Sequence, residues 1–318
     1  MARYGMSLPM AGVPLHAHED WLKEMVDLGY TDFWSSEANG HDGFSPLALA
    51  AAWAPTARLG IAIIPAFTRG PAVMAQSVAS LADAAPGRFV MGIGTSSNVI
   101  VEQWNGIPFE RPYYRTRDMV RFLRRALSGE KITEEFETFN VRGFRSGVKL
   151  EHQPKILVAA LREGMLKMAG READGAILNW LSAEDVRQVV PHVHAGGEGK
   201  EIVARLFVLP VEDRAMALAI GRRAVAAYLN VPVYAAFHEW LGRGDELEGM
   251  WSKWKEGDRA AALEAIPEEV VDALIINGSP GACRDHIQRY VECGVDTPAL
   301  AVLHSEDLRQ TVRDLAPR

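Results

Sequence analysis

The feature that most restricts this chain is an alternation. Short segments rich in β-branched and other apolar residues recur along nearly its whole length, each followed by a longer segment with helical spacing. Eight strands are predicted, at Tyr4–Leu8, Asp32–Ser36, Leu59–Ile64, Phe89–Ile93, Lys155–Ala159, Gly175–Asn179, Ile202–Leu209 and Pro298–Leu303. A strand joined to the next through a helix pairs with it in parallel, and eight such units close on themselves. The intervening segments carry the stripe that an outer ring of helices needs. Met74, Val78 and Leu81 fall on one face after Pro71, and Met119, Val120, Leu123 and Leu127 do so further on with arginines outward. The expected fold class is therefore α/β, a (β/α)8 TIM barrel with insertions, forming one domain over residues 1–318. Lys131–Phe144 alternates as an external hairpin would. Asp213–Ala273 is a helical insert whose aromatics, Tyr228, Tyr234, Phe237, Trp240, Trp251 and Trp254 among them, either pack helices together or form a lid or subunit interface.

With 318 residues and 48% hydrophobic content, the chain can bury a large core. Its net charge of -7, with no basic run beyond Arg121, Arg124 and Arg125, argues against nucleic acid or an anionic membrane as partner. No apolar stretch reaches the length of a membrane span and MARYGMSLPM lacks a leader pattern, so a soluble cytoplasmic protein is expected. Cys283 and Cys293 lie on different sides of one predicted helix and read as small buried residues, not a disulfide.

Barrels of this type carry their sites at the C-terminal ends of the strands. The polar residues gather there. After the second strand come Ser36, Glu37, Asn39, His41 and Asp42; after the fourth, GIGTSSN; after the fifth, AALREGM; after the sixth, NWLS. These groups are mostly hydroxyls, amides and small residues, so no metal is expected, since a metal hydrolase needs several His, Asp or Glu converging from different strands. His16, His18, His192 and His194 sit away from those ends and read as structural. No Ser or Cys stands in a nucleophile turn, and the single Gly92–Gly94 pair is no dinucleotide fingerprint.

A mouth with neutral donors and small residues suits an organic cofactor that brings its own reactivity. A flat heteroaromatic ring needs close backbone approach, as at Gly94, and donors along an edge, which Thr95, Ser96, Ser97 and Asn179 offer. For the hydroxyl cluster an ordinary helix cap is the competing reading. A phosphate would sit on backbone N–H groups in AALREGM, at the start of the helix after the fifth strand.

At these residues the chain resembles the luciferase-like flavin and deazaflavin oxidoreductases, specifically the actinobacterial type that uses coenzyme F420. The likeness runs through GYTDFWSSEANGHDGFSPLALAAAW, RLGIAIIPAFTRGPAVMAQSVASLADAAPGRFVMGIGTSS, WNGIPFERPYYRTRDMV, MLKMAGREADGAILNWLS and VDALIINGSPGACRDHIQRYVECGVDTP, in order and spacing. The resemblance implies a barrel of the luciferase-like type with the cofactor ring at its mouth. It assigns Glu37 to an acidic position near the ring and Ala62, Ile63 and Ile64 to a third-strand bulge that often contains a non-proline cis peptide. Thr95, Ser96 and Ser97 match ring and ribityl contacts; Ala159, Ala160 and Leu161 match the phosphate loop, with Asn179, Trp180 and Leu181 beside it. Arg162 and Glu163 stand where a glycine and a proline are common, Asn98 replaces a frequent proline and Asn105 a frequent histidine. Ala38 replaces the acid–base histidine of the sugar-phosphate branch, which argues against that substrate.

The expected function is hydride transfer between coenzyme F420 and a small organic substrate, with Glu37 and His41 as candidates for proton exchange. Trp104 and Trp180 are candidates for the pocket wall, and Arg69, Arg162 and Lys167 for a basic groove along the cofactor tail. The first alternative is an FMN-dependent monooxygenase fed by a separate reductase; the second is a non-catalytic flavin-binding barrel. A homodimer is expected from the resemblance and the aromatic insert.

Overall fold

The structure, a computed structural model, describes residues 3–317. Eight parallel strands close into a barrel: β1 (Gly5–Ser7), β2 (Asp32–Ser35), β3 (Arg58–Ile61), β4 (Phe89–Gly94), β5 (Lys155–Ala159), β6 (Gly175–Asn179), β7 (Glu201–Leu209) and β8 (Thr297–Val302). Each pairs with its successor, and β8 returns to β1 through Gly5↔Ala299 and Met6↔Leu300. The fold is thus a closed parallel barrel with helices around it. The third strand differs from its prediction as one run over Leu59–Ile64. It stops at Ile61, the Ala62–Ile63 peptide is cis, and a short piece, Ile64–Pro65, resumes pairing with β4.

The helices form where the apolar stripes predict. Pro71–Ala84 buries Met74, Val78 and Leu81, and Pro112–Leu127 buries Met119, Val120, Leu123 and Leu127 against the barrel. Proline near each start fits a position whose N–H has no intrahelical partner. The hairpin consists of Ile132–Glu135 and Asn140–Phe144 in antiparallel pairing. The late segment is helical through Arg214–Leu229, Pro232–Trp240, Gly244–Glu256, Arg259–Glu264 and Glu268–Leu274. Trp251 and Phe237 serve packing there: Trp251 Nε1 donates to the Leu229 carbonyl at 2.9 Å, and Phe237 is buried.

Alternation along each strand builds the barrel interior in layers. At the N-terminal end lies an ionic floor. Buried Arg58 donates to Asp32, to Glu201 Oε1 at 2.6 Å and to Thr297 Oγ1 at 3.0 Å, while Lys155 reaches Glu201 Oε2 at 2.8 Å. Desolvation alone would raise Glu201, but Arg58 and Lys155 outweigh it and hold the carboxyl below its ordinary range. One residue pair up each strand, Trp34, Val90, Leu157, Ile177, Val203 and Ala299 form an apolar plug. Trp34 fits because Gly60 faces it; a Cβ on Gly60 would lie 2.2 Å from the indole. The barrel is closed below, and its polar opening lies at the other end.

Both cysteines are free and buried, as expected. Buried His18 accepts from the Met10 amide at Nε2 and faces the Pro14 carbonyl through Nδ1, a loop-pinning arrangement.

Candidate active site

A cavity of about 470 Å³ opens at the C-terminal end of the barrel, within the range of small-molecule sites. Its lining contains ten of the residues expected at the site: Glu37, Ala62, Ile63, Thr95, Ser96, Ser97, Ala159, Ala160, Leu161 and Asn179. They arrive from the ends of β2 to β6, so residues far apart in sequence share one wall.

The glycines of β4 explain how the wall is made. A Cβ on Gly92 would fall 1.8 Å from the Ile61 carbonyl oxygen and 2.5 Å from Ile177 Cδ1. The break in the third strand therefore leans directly on β4. A Cβ on Gly94 would crowd Ala159 Cβ at 2.9 Å and Ile63 Cδ1 at 3.2 Å, narrowing the slot between them. Just past two strand ends, Ser96 and Trp180 hold φ of 63° and 54°. Such left-handed backbone is uncommon outside glycine and tends to collect at functional sites.

Several expected residues lie elsewhere, and these are corrections. Ile64 is wholly buried, packed away from the cavity. Trp180 and Leu181 are buried too: the Trp180 indole lies outside the cavity lining, stacked on Phe207 at 4.2 Å and tilted against Tyr228 at 4.7 Å. Trp180 thus supports a wall residue without being one. Arg162 is exposed outside the lining. His41, also exposed, borders a neighbouring shallow hollow of about 380 Å³ that shares Glu37 with the main cavity. The proposed basic groove is not assembled, because Arg69 pairs with Glu37 and Lys167 with Glu163. Trp104 does line the cavity and is 54% exposed.

Glu37 is held on all sides. Arg69 Nη1 donates to Oε1 at 2.6 Å, Thr68 Oγ1 to Oε1 at 3.3 Å, and the Gly43 amide to Oε2 at 3.2 Å. Beside it, Asp42 accepts from the Phe44 and Ser45 amides at 2.8 and 3.0 Å. Partial burial works to raise Asp42, but the Ser45 and Phe44 hydrogen bonds and Arg69 prevail and leave it lowered. The loop after β2 is ordered by these carboxylates.

The remaining wall was legible only as one of two readings of the helical insert, in which Tyr228 and Tyr234 either pack helices or belong to a lid. Arg205 on β7, with Tyr228, Val231, Val233 and Tyr234 from the helical segment, completes the cavity. Asn179 Nδ2 donates to the Tyr234 hydroxyl at 2.9 Å, while buried Asn179 Oδ1 has no partner. Burial pushes the Tyr234 hydroxyl up to about 12, against a lesser lowering by Asn179. The signal for Arg205 was present: it is the one charge within the otherwise apolar run IVARLFVL. No cluster of potential metal ligands occurs among the described residues.

Residues 3–297 match the sequence model of the luciferase-like monooxygenases. The chain belongs to that family. Among relatives of this luciferase-like chain is the 5,10-methylenetetrahydromethanopterin reductase of Methanolobus tindarius, 25% identical over 276 residues, 84% of each chain. The coenzyme F420-dependent tetrahydromethanopterin reductase of Methanopyrus kandleri superposes with a TM-score of 0.81 at 20% identity, over 99% of this chain and 97% of that one. An F420-dependent secondary alcohol dehydrogenase in complex with an F420–acetone adduct gives a TM-score of 0.80 at 14% identity with the same coverage, a likeness of fold. No helix among the described residues is long and apolar enough to cross a membrane.

Proposed function

We propose that this luciferase-like chain is an oxidoreductase that takes coenzyme F420 at the barrel mouth and exchanges a hydride between it and a small organic substrate. The observation that carries this reading is the chemistry of the cavity wall. Small residues at Ala62, Ala159 and Ala160 leave a slot for a flat ring, with buried Gly94 behind Ala159, and Thr95, Ser96 and Ser97 offer hydroxyls beside it. Buried Asn179 Oδ1 has no donor among the described residues and is open to one from a ligand. These residues fit a planar, hydrogen-bonding cofactor. The names of the relatives favour a deazaflavin.

When bound, a 5-deazaflavin supplies two-electron hydride chemistry, since carbon replaces the ring nitrogen through which ordinary flavins handle oxygen. Ala62 and Ile63 would back the ring. Ala160 and Leu161 precede the helix Glu163–Glu172, whose N-terminal amides suit a phosphate. Glu163 in its first turn is drawn off by Lys167 at 2.5 Å. Tyr228, Val231 and Val233 form an apolar wall beside the slot that a bound ring and substrate would cover. Glu37 holds the rim loop in place through Arg69, Thr68 and the Gly43 amide, and it is the one carboxylate in the cavity lining.

The second reading, an FMN-dependent monooxygenase served by a reductase, is favoured by the family description itself. Equilibrium titration of the protein with both cofactors, followed through tryptophan emission, decides between them. Tight binding of F420 with weak FMN is expected; tight FMN with no F420 overturns the proposal.

A further inference from the structure

The cavity contains a positive charge that no anion among the described residues answers. Arg205 projects from β7 in register with Asn179 on β6 and Ala299 on β8, one residue pair above the apolar plug. Alternation turns it into the barrel, and it is half-buried in the cavity wall. The other cations that the strands turn inward, Arg58 and Lys155, are neutralised on the ionic floor by Asp32 and Glu201. At the rim Arg69 is matched by Glu37. Among the described residues Arg205 has no ion pair and no side-chain hydrogen bond; its guanidinium rests 5.1 Å from the Phe207 ring centre. A charge withdrawn from water without a partner is costly, and a guanidinium fork matches a carboxylate in shape.

A second donor faces the same space. The Tyr234 oxygen accepts from Asn179 Nδ2, which leaves its own O–H free to donate. Next to these polar groups stand Tyr228, Val231 and Val233, an apolar wall. One unmatched cation, one phenol donor and an adjoining greasy surface define a complementary ligand.

We infer that Arg205 and Tyr234 form a carboxylate-recognising subsite, and that the substrate class is small organic monoanions whose apolar body lies against Tyr228, Val231 and Val233. This rests on the oxidoreductase reading, since it assigns the substrate side of the same cavity. A single guanidinium suits one negative charge. A phosphate of the cofactor is the competing source of an anion, but the amides after β5 offer it a place of its own.

The test uses hexanoate and cinnamate as probes, with hexanamide and cinnamamide as neutral counterparts and inorganic phosphate as a control. They are titrated into wild type, Arg205→Met, Arg205→Lys and Tyr234→Phe by calorimetry, with and without F420. At least one carboxylate should bind wild type about tenfold or more tightly than its amide, a difference that charge-assisted hydrogen bonds supply. Arg205→Met should abolish that preference while leaving amide and F420 affinities within about twofold, and Arg205→Lys should restore part of it. Tyr234→Phe should weaken the carboxylate severalfold. Thermal unfolding of each variant verifies that it is folded, and Arg205→Lys supplies the answer if Arg205→Met is not. The inference is overturned if no carboxylate binds wild type, if acid and amide bind alike, if Arg205→Met retains the preference, or if that variant loses F420 or phosphate binding instead. Failure of wild type to bind either F420 or FMN would sink the cofactor assignment separately, because the acid–amide comparison is also read without cofactor.

Discussion

His238 links the helical cover to the barrel rim, and acid should break that link. Its imidazole is wholly buried on the helix Pro232–Trp240, where Nε2–H donates to the Trp180 carbonyl at 2.9 Å and Nδ1 has no partner. Desolvation, reinforced by the nearby Arg243 cation, lowers the ring from 6.5 to about 4, against a weaker opposing pull from Asp185. The native ring therefore refuses a proton that the unfolded chain accepts between those two values. Stability from this group is fully present above pH 6.5 and is lost as pH falls toward 4. The gap corresponds to about 3 kcal/mol when fully expressed and about 2 kcal/mol at pH 5. Urea unfolding of wild type and His238→Gln, between pH 7.5 and 4.5, isolates the effect. Glutamine keeps an N–H for the Trp180 carbonyl but does not titrate. Other acid-sensitive groups cancel in the difference, so the advantage of wild type should shrink by about 2 kcal/mol on going to pH 5. Parallel stability curves would refute the assignment of a neutral, buried His238.

Two further substitutions probe the wall. Gly92→Ala places a methyl 1.8 Å from the Ile61 oxygen, a backbone atom that cannot rotate away. It should cost at least about 3 kcal/mol in urea unfolding, with F420 affinity falling in parallel; an unperturbed variant would disprove the close approach of β4 to the third-strand break. Arg69→Met removes the partner of half-buried Glu37 and should lower stability by about 1 kcal/mol, roughly 2 °C in melting temperature, while weakening cofactor binding severalfold. Unchanged melting and binding would mean that the ion pair does not order the rim loop.

The fold was legible because its signal is local. Apolar runs separated by amphipathic stretches locate seven of the eight strands to within a residue, the third overshooting its Ile61 end by three, and the strand parity that buries Trp34, Val90 and Leu157 follows from pairing alone. The ends of β2, β4 and β6 were legible because a hydroxyl, glycine or amide ends the apolar run there, and that of β5 because Ala160 and Leu161 stand at a helix start. The interruption after Ile61 was not legible from the residues, because ARLGIAIIPAF reads as continuous strand. Trp180 was misplaced because the place of its indole shows only in the packing against Phe207 and Tyr228. For Tyr228 and Tyr234 the sequence left packing and lid open, and Val233 was not named, because they reach the mouth only through the packing of a segment distant in sequence. Arg205 is the one charge in IVARLFVL, and no role was assigned to it from sequence because its inward direction appears only once β7 is paired.

The floor of salt bridges and the tryptophan above it make the barrel a cup with one doorway. On the proposed reading, cofactor and substrate share that doorway, and a cofactor seated beneath its substrate would arrive first and depart last. That queue is a property of the container, and it sets an order of traffic before any chemistry begins.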